Sequence, residues 1–253
     1  MKDLIINDYV NNYLGTQELA YKYKLHRATI QRYLIKKGIK LRKRTSRIRV
    51  NNFYFSKYNK ENCYWAGFIL ADGYIRTNKR FTLEIKLQKQ DVNHLHKFKK
   101  AIEYEGKIIE RKEYYSITIS SPQIIKDLQN NFEIYNKKSL TCGISNKIPK
   151  KYLKDFIRGY FDGDGSITFT TTDTISFLGT EKTVDFIRKY FFDIVKIKLR
   201  SKNMPNITHN QNIYAIFYSG KSAFKCIDYL YNKSIVYLDR KYNKYNCLIE
   251  KYK

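Results

Sequence analysis

Two acidic residues stand in closely similar surroundings far apart in the chain: Asp72 in WAGFILADG, residues 65–73, and Asp164 in IRGYFDGDG, residues 157–165. The stretches match at a constant offset of 92 positions, which pairs Gly67 with Gly159, Ala71 with Gly163, Asp72 with Asp164 and Gly73 with Gly165. A spacing of four puts Gly67 and Ala71, and likewise Gly159 and Gly163, on one helix face, where missing side chains let two backbones approach. Gly73 and Gly165 are expected to end the helices in the left-handed conformation. Asp72 and Asp164 then lie at adjacent helix C-termini. A carboxylate is disfavoured at the negative end of a helix, and disfavoured again beside a second carboxylate. A divalent cation between them removes both conflicts. Hard oxygen donors favour Mg²⁺, with Mn²⁺ able to substitute, held by the two carboxylates and by backbone near Ala71 and Gly163. One such motif alone reads as an ordinary turn.

The elements that must position these acids also repeat. YIRTNKRFTLEIKLQ follows the first motif and SITFTTTDTISFLG the second, and both are β-patterned; YYSITISSPQIIKDL and IYAIFYSGKSAFKCIDYLY then read as strand followed by helix. Two helix–hairpin–helix–hairpin–helix units result, over residues 60–145 and 146–253. In FTLEIKLQK, Phe81, Leu83, Ile85 and Leu87 alternate with Thr82, Glu84, Lys86 and Gln88, and Lys89 stands just past this hairpin. In SITFTTTD, Ile167 and Phe169 alternate with Ser166, Thr168 and Thr170. One face packs under helices while the other offers polar groups to base edges, although a merely solvated face gives the same pattern.

The chain of 253 residues sets 49 Lys and Arg against 23 Asp and Glu, a net charge of +26, so a polyanion is the expected partner. No apolar stretch approaches the roughly 20 residues of a spanning helix, and MKDLIINDYV lacks the order of a signal peptide. The expectation is an intracellular protein without a membrane partner, not secreted; abundant Lys, Ile, Asn and Tyr suggest an organelle, a phage or an AT-rich bacterium. Cys63, Cys142, Cys226 and Cys247 are scattered, with no disulfide or zinc spacing.

Residues 1–45 resemble a helix-turn-helix domain. Leu19, Leu25, Ile30 and Leu34 fit two short helices packed on each other and on an earlier helix near Leu4–Leu14, with Ala20 at the contact. Arg27, Thr29, Gln31 and Arg32 would face outward on the second helix, suited to a major groove. Lys24 occupies the turn position where many such motifs have Gly. In KKGIKLRKRTSRIR, Lys40, Arg42, Lys43 and Arg44 belong to a run of eight cations without an acid, read as phosphate contacts leading into a solvated basic linker over 46–59.

The doubled motif resembles the LAGLIDADG signature of homing endonucleases, and the duplication over 60–253 is similar to their double-motif, monomeric branch. The resemblance implies an α+β fold: two pseudo-twofold αββαββα repeats forming a DNA-binding saddle, with the small all-α domain appended. It implies that Asp72 and Asp164 bind catalytic metal ions above the minor groove, with Asp162 structural. It also places a basic residue near the scissile phosphates in each half: Lys241, in YLDRKY, and Lys138, in NKKS. The implied activity is a Mg²⁺-dependent, staggered double-strand break with 3′ overhangs in a long, imperfectly symmetric site of double-stranded DNA. The alternative is an RNA maturase acting on intron RNA, or a non-cleaving DNA-binding regulator of the same fold. An intein origin is disfavoured by the initial Met and the terminal EKYK.

Overall fold

In the computed structural model the described residues, 2–12, 14–42, 48–78, 80–136, 143–197 and 213–253, build two hydrophobic cores. The smaller belongs to α1 (Lys2–Val10), α2 (Thr16–Tyr23) and α3 (Arg27–Lys36). Leu19, Ala20, Ile30 and Leu34 fill it together with Ile5, Tyr9 and Leu14, while Leu4 is exposed and Leu25 half-buried. Lys24 closes α2 at φ 53° and ψ 41°, the left-handed conformation that glycine adopts most cheaply. The turn therefore keeps the glycine geometry without the glycine.

Arg42 is exposed but folds back on its own domain. Its guanidinium donates to the carbonyls of Tyr9 at 2.7 Å and Leu14 at 2.8 Å and lies 4.1 Å over the Tyr9 ring, so its hydrogen bonds are turned back onto its own domain. Lys43 and Arg44 lie outside the described residues. The solvated linker expected over 46–59 is also corrected. Arg49 and Asn51 join Glu105 and Ile102 by backbone bonds, Ser56 donates to Asp127, Tyr58 donates to the Asn131 carbonyl, and Phe55 is fully buried. Tyr54, Phe55 and Tyr58 carry more apolar surface than a solvated segment can leave in water, and they pack on the larger core.

That larger core holds both repeats. The first runs α4 (Lys60–Asp72), β1 (Gly73–Arg76), β2 (Thr82–Gln88), α5 (Val92–Ala101), β3 (Ile109–Glu110), β4 (Tyr114–Ser120) and α6 (Pro122–Phe132), with an antiparallel sheet ordered β1-β2-β4-β3. The second runs α7 (Lys150–Asp164), β5 (Gly165–Thr168), β6 (Thr174–Gly179), α8 (Glu181–Val195), β7 (Tyr214–Ser219), α9 (Gly220–Tyr231) and a further helix, α10 (Asp239–Tyr252). Its antiparallel order β5-β6-β7 repeats that of β1-β2-β4. On β2, Leu83, Ile85 and Leu87 are buried, and Lys86 and Gln88 are exposed. Thr82 breaks the pattern at 9% exposure, and Phe169 lies past the end of β5, 45% exposed rather than on the core face. Among the described residues no helix is long and apolar enough to cross a membrane.

The motif helices α4 and α7 run parallel at the centre, and α4 is buried continuously from Asn62 to Leu70. A helix enclosed on all sides has no polar stripe to keep, which is why its sequence shows so little amphipathic pattern. Their contact is reciprocal. A methyl group on Gly67 would overlap the Phe156 carbonyl, and one on Gly159 would overlap the Tyr64 carbonyl; Phe156 and Tyr64 are themselves 92 positions apart. Gly163 meets Ala71, its own counterpart. Gly73 and Gly165 do not take the expected left-handed conformation: their φ values are −78° and −86°, in the extended region. They are small because a side chain there would strike Ile69 or Phe161 as the helix turns directly into β1 or β5. Gly67→Ala and Gly159→Ala should each destabilise the protein by about 3 kcal/mol or more, read by urea denaturation, because the added methyl meets backbone that cannot move aside. Gly143→Ala, whose methyl would meet only the Lys182 side chain at 3.2 Å, should cost less than about 1 kcal/mol.

Candidate active site

Asp72 is the last residue of α4 and Asp164 the last of α7, so parallel packing brings both carboxylates to one end of the helix pair. Asp72 is exposed and Asp164 partly so. The Asp72 carboxylate reaches across to the other repeat: a methyl on Gly163 would lie 3.2 Å from its Oδ2. Glycine at 163 is required first by the Ala71 methyl, which an added Cβ would strike, and the Asp72 carboxylate lies just beyond it. Tyr160, one turn before Asp164, is buried and donates its hydroxyl to the Leu178 carbonyl at 2.6 Å. Burial first, then the charges of Asp164 and Asp72, push this phenol well above its ordinary range. One side chain thus senses both carboxylates.

Lys241 approaches the same place from α10. It is 2% exposed, and its ammonium donates to the carbonyls of Phe161, of Asp162 at 2.9 Å and of Gly165 at 2.6 Å, with the Gly163 carbonyl at 3.5 Å. Burial lowers its pKa to about 8, with Arg240 acting in the same direction and Asp162, Asp72 and Asp164 opposing. A cation on the last carbonyls of a helix offsets the negative end of the dipole. The geometry makes Lys241 the clamp that fixes the α7 terminus carrying Asp164, facing backbone rather than solvent. Lys138 lies outside the described residues.

Behind the carboxylates lies a buried polar network that the motif pattern did not reveal. Asp162, 1% exposed, accepts from the Tyr64 hydroxyl at 2.6 Å, from the Tyr231 hydroxyl and from the Leu238 backbone N–H at 2.9 Å. Burial raises its pKa; Lys241 and these donors work against that. Tyr64 gives its proton to Asp162, so His94, whose Nε2 is 3.0 Å from the Tyr64 hydroxyl, donates from that nitrogen. Its Nδ1 is buried without a partner, and Trp65 and Phe68 pack on the ring. Arg158, fully buried, donates to Asp155 at 2.8 Å and to the carbonyls of Val236 and Leu230. Salt bridges from Asp91 to Arg240 and from Lys97 to Asp239 tie the first repeat to the start of α10. The available signal was the difference between the copies: at the 92-residue offset Tyr64 pairs with Phe156, Ala66 with Arg158, Phe68 with Tyr160 and Leu70 with Asp162.

The remaining expected contacts are spread over the surface. Thr29 and Arg32 are exposed on α3, Gln31 is half-buried, and Arg27 donates from Nε to the Thr16 hydroxyl at 3.2 Å. Lys40, Lys86 and Gln88 are exposed; Lys89 pairs with Glu110 at 2.8 Å. On the second sheet Ser166 bonds Ser176 at 2.7 Å and Thr168 is exposed, while Thr170, also exposed, lies past the end of β5.

The two carboxylates form a hard donor set, and among the described residues no group of three or more His, Cys, Asp or Glu gathers. Such a site fits an ion that keeps several water or phosphate ligands, as Mg²⁺ does. A parallel pair of helices ending in paired acids, each passing straight into an antiparallel sheet, defines a class of fold. The meganuclease I-SmaMI, solved bound to uncleaveable DNA, is similar with a TM-score of 0.53 at 14% identity, over 76% of this chain and 90% of that one. I-LtrWI, a LAGLIDADG homing endonuclease bound to target DNA, gives 0.52 at 11% identity over 79% and 91%. I-CpaMI, bound to uncleaved DNA, gives 0.50 at 16% identity over 77% and 92%. Residues 61–140 match the WhiA LAGLIDADG-like domain. No protein of curated function matches the chain by sequence. The chain has the fold of the LAGLIDADG homing endonucleases.

His94 is neutral in the fold, its pKa lowered to about 3 by burial and then by Lys97, Lys241 and Arg240. Unfolding therefore takes up a proton between that value and the ordinary 6.5, and stability is lost as pH falls through this window. The loss should approach about 1.4 kcal/mol per pH unit. Paired urea titrations of wild type and His94→Phe should show this extra acid sensitivity in the wild type alone.

Proposed function

We propose that the protein is a site-specific, metal-dependent DNA endonuclease. The observation that carries the reading is the placing of Asp72 and Asp164 at the same end of two helices packed closely enough to exclude side chains, with Asp72 exposed and Asp164 partly so. A divalent cation held there would neutralise charge on the phosphorus oxygens and make a bound water more acidic. The chain's own part is to place the acids. Gly163 lets α7 close on Ala71 beside Asp72, Lys241 fixes the last turn of α7, and Asp162 anchors α10 through Leu238. The exposed faces of the two sheets offer Lys86, Gln88 and Thr168 to a duplex, Thr170 stands in the turn just past β5, and the +26 charge favours the approach of that duplex. The doubled motif places both acids on one chain, so a monomer acts on an imperfectly symmetric double-stranded site, leaving staggered ends.

Purified protein with Mg²⁺ should cut a cloned cognate site, or one member of a randomised DNA library, at one position. Asp72→Asn and Asp164→Asn should each lower the rate by about 1000-fold or more while leaving DNA affinity within a few fold. Retained cutting in both variants would move the chemistry elsewhere. Tight binding without cutting by the wild type would instead favour a regulator, and stimulated intron splicing a maturase.

The N-terminal helices extend this reading. Arg32 is exposed and Gln31 half-buried on α3, which starts from the turn at Lys24. Asn52, which donates to Glu18 at 2.6 Å and accepts from Ser121 at 2.6 Å, links the domain to the first repeat, so its footprint falls on one flank. Gln31→Ala combined with Arg32→Ala should weaken binding about tenfold and remove nuclease protection on that flank only. An unchanged footprint would reduce the domain to a folding accessory.

A further inference from the structure

At the opposite end of the motif helices, about 20 Å from the carboxylates by the rise of a 13-residue helix, the surface opens into a cleft of about 630 Å³. Its walls come from the first turns of α4 and α7, from α9 and from the connection after α9. Lys60, Lys151, Lys154, Lys225, Lys233 and the buried Arg158 line it against two acids, and Lys154 donates to the Asn232 carbonyl at 3.0 Å. Both acids are already engaged: Asp155 holds the buried Arg158, and Asp228 accepts from Tyr245 at 2.7 Å and from Lys253 at 2.9 Å. Among the described residues, Lys60, Lys151, Lys225 and Lys233 form no salt bridge.

Three features distinguish this cleft from the general positive charge of the surface. The first turn of α7 contains no acid, so its lysines add to the positive end of the helix dipole. Lys154 is half-buried, its pKa lowered by burial and then by Arg158, and it lies 5.2 Å over the Tyr229 ring. Partly exposed Tyr229 and Phe224 stand among the cations.

We infer that this cleft binds a single-stranded segment of nucleic acid, independently of any duplex on the sheets. Converging ammonium groups suit a phosphodiester backbone, and aromatic rings beside them suit unstacked bases. A regular duplex, about 20 Å wide, presents its bases inward and cannot lay them in a concavity of this size.

The test is fluorescence anisotropy of the full-length protein with labelled oligouridylate and oligodeoxythymidylate, at several salt concentrations, beside a labelled duplex. K151E/K225E/K233E should lower single-strand affinity about tenfold or more and reduce the slope of log K against log salt by about 2, the share of three phosphate contacts. Duplex affinity should stay within about twofold, and saturating duplex should leave the oligonucleotide bound. K151A/K225A/K233A should act in the same direction, which guards against misfolding of the charge-reversed protein. Tighter binding of one oligonucleotide would identify RNA or DNA as the source of the strand. The inference is overturned if the wild type binds neither oligonucleotide, if the variants bind as the wild type does, or if duplex displaces the strand. None of these readouts depends on cutting, so failure here and failure of the endonuclease reading are separable.

Discussion

The molecule depends on the approach of two backbones at Gly67 and Gly159. Each glycine lies where the carbonyl of the opposite helix would collide with a methyl group, and the reciprocal contact sets both the separation of α4 and α7 and their register. Register is what brings Asp72 against Gly163, and with it the two acids to one end. The remaining elements follow from this pair. Each sheet begins at the residue after its acid, so the sheets extend from the site on either side, and α5, α6, α8 and α9 cover their inner faces. Close packing makes the placement of the carboxylates stiff, because interiors at crystal-like density transmit small displacements instead of absorbing them.

A symmetric pair of helices would not by itself hold α10, and here the two copies diverge. Tyr64, Arg158, Tyr160 and Asp162 each replace an apolar or small residue of the other copy. Three of them bind β6 or the chain from the end of α9 to the start of α10. Tyr160 reaches Leu178, Arg158 reaches Leu230 and Val236, and Asp162 reaches Tyr231 and Leu238. The chain leaving α9 is thereby held against the second motif helix, and α10 starts where Lys241 can cap it. Burying Asp162 and Arg158 is costly unless every lone pair and donor is matched, so this network tolerates little rearrangement. The second acid thus has a rigid support that the described part of the first repeat does not duplicate.

The duplication, the glycine faces and the two acids were legible in the sequence because each is a constraint repeated at a fixed offset. A repeat exposes what both copies need. It conceals what only one copy does, so the network around Asp162 and the clamp by Lys241 had to be seen in three dimensions. The alternation on β2 marked Lys86 and Gln88 as outward, whereas Thr82 is covered near the strand's edge, where period-two patterning carries no information about neighbouring segments. Residues 49–58 misled for a related reason: the basic run before them suggested solvent, yet their aromatic side chains decided the outcome. Gly73 and Gly165 were rightly marked as required and wrongly explained, since sequence cannot separate the need for a left-handed turn from the need for space.

Parallel packing has a final electrostatic consequence. Antiparallel helices largely cancel their dipoles, but α4 and α7 add theirs, leaving partial negative charge at the end with Asp72 and Asp164 and partial positive charge at the end with Lys60 and Lys151. At each end the side chains reinforce the dipole instead of opposing it. Lys241 relieves part of this strain at the C-terminal end, and Glu61 part of it at the N-terminal end. A fold selected for stability alone would carry the reverse arrangement, with acids in the first turns and lysines in the last. The helix pair instead presents an electrostatic demand for a cation at one end and for an anion at the other, so the same close contact that builds the carboxylate site also primes the cleft behind it.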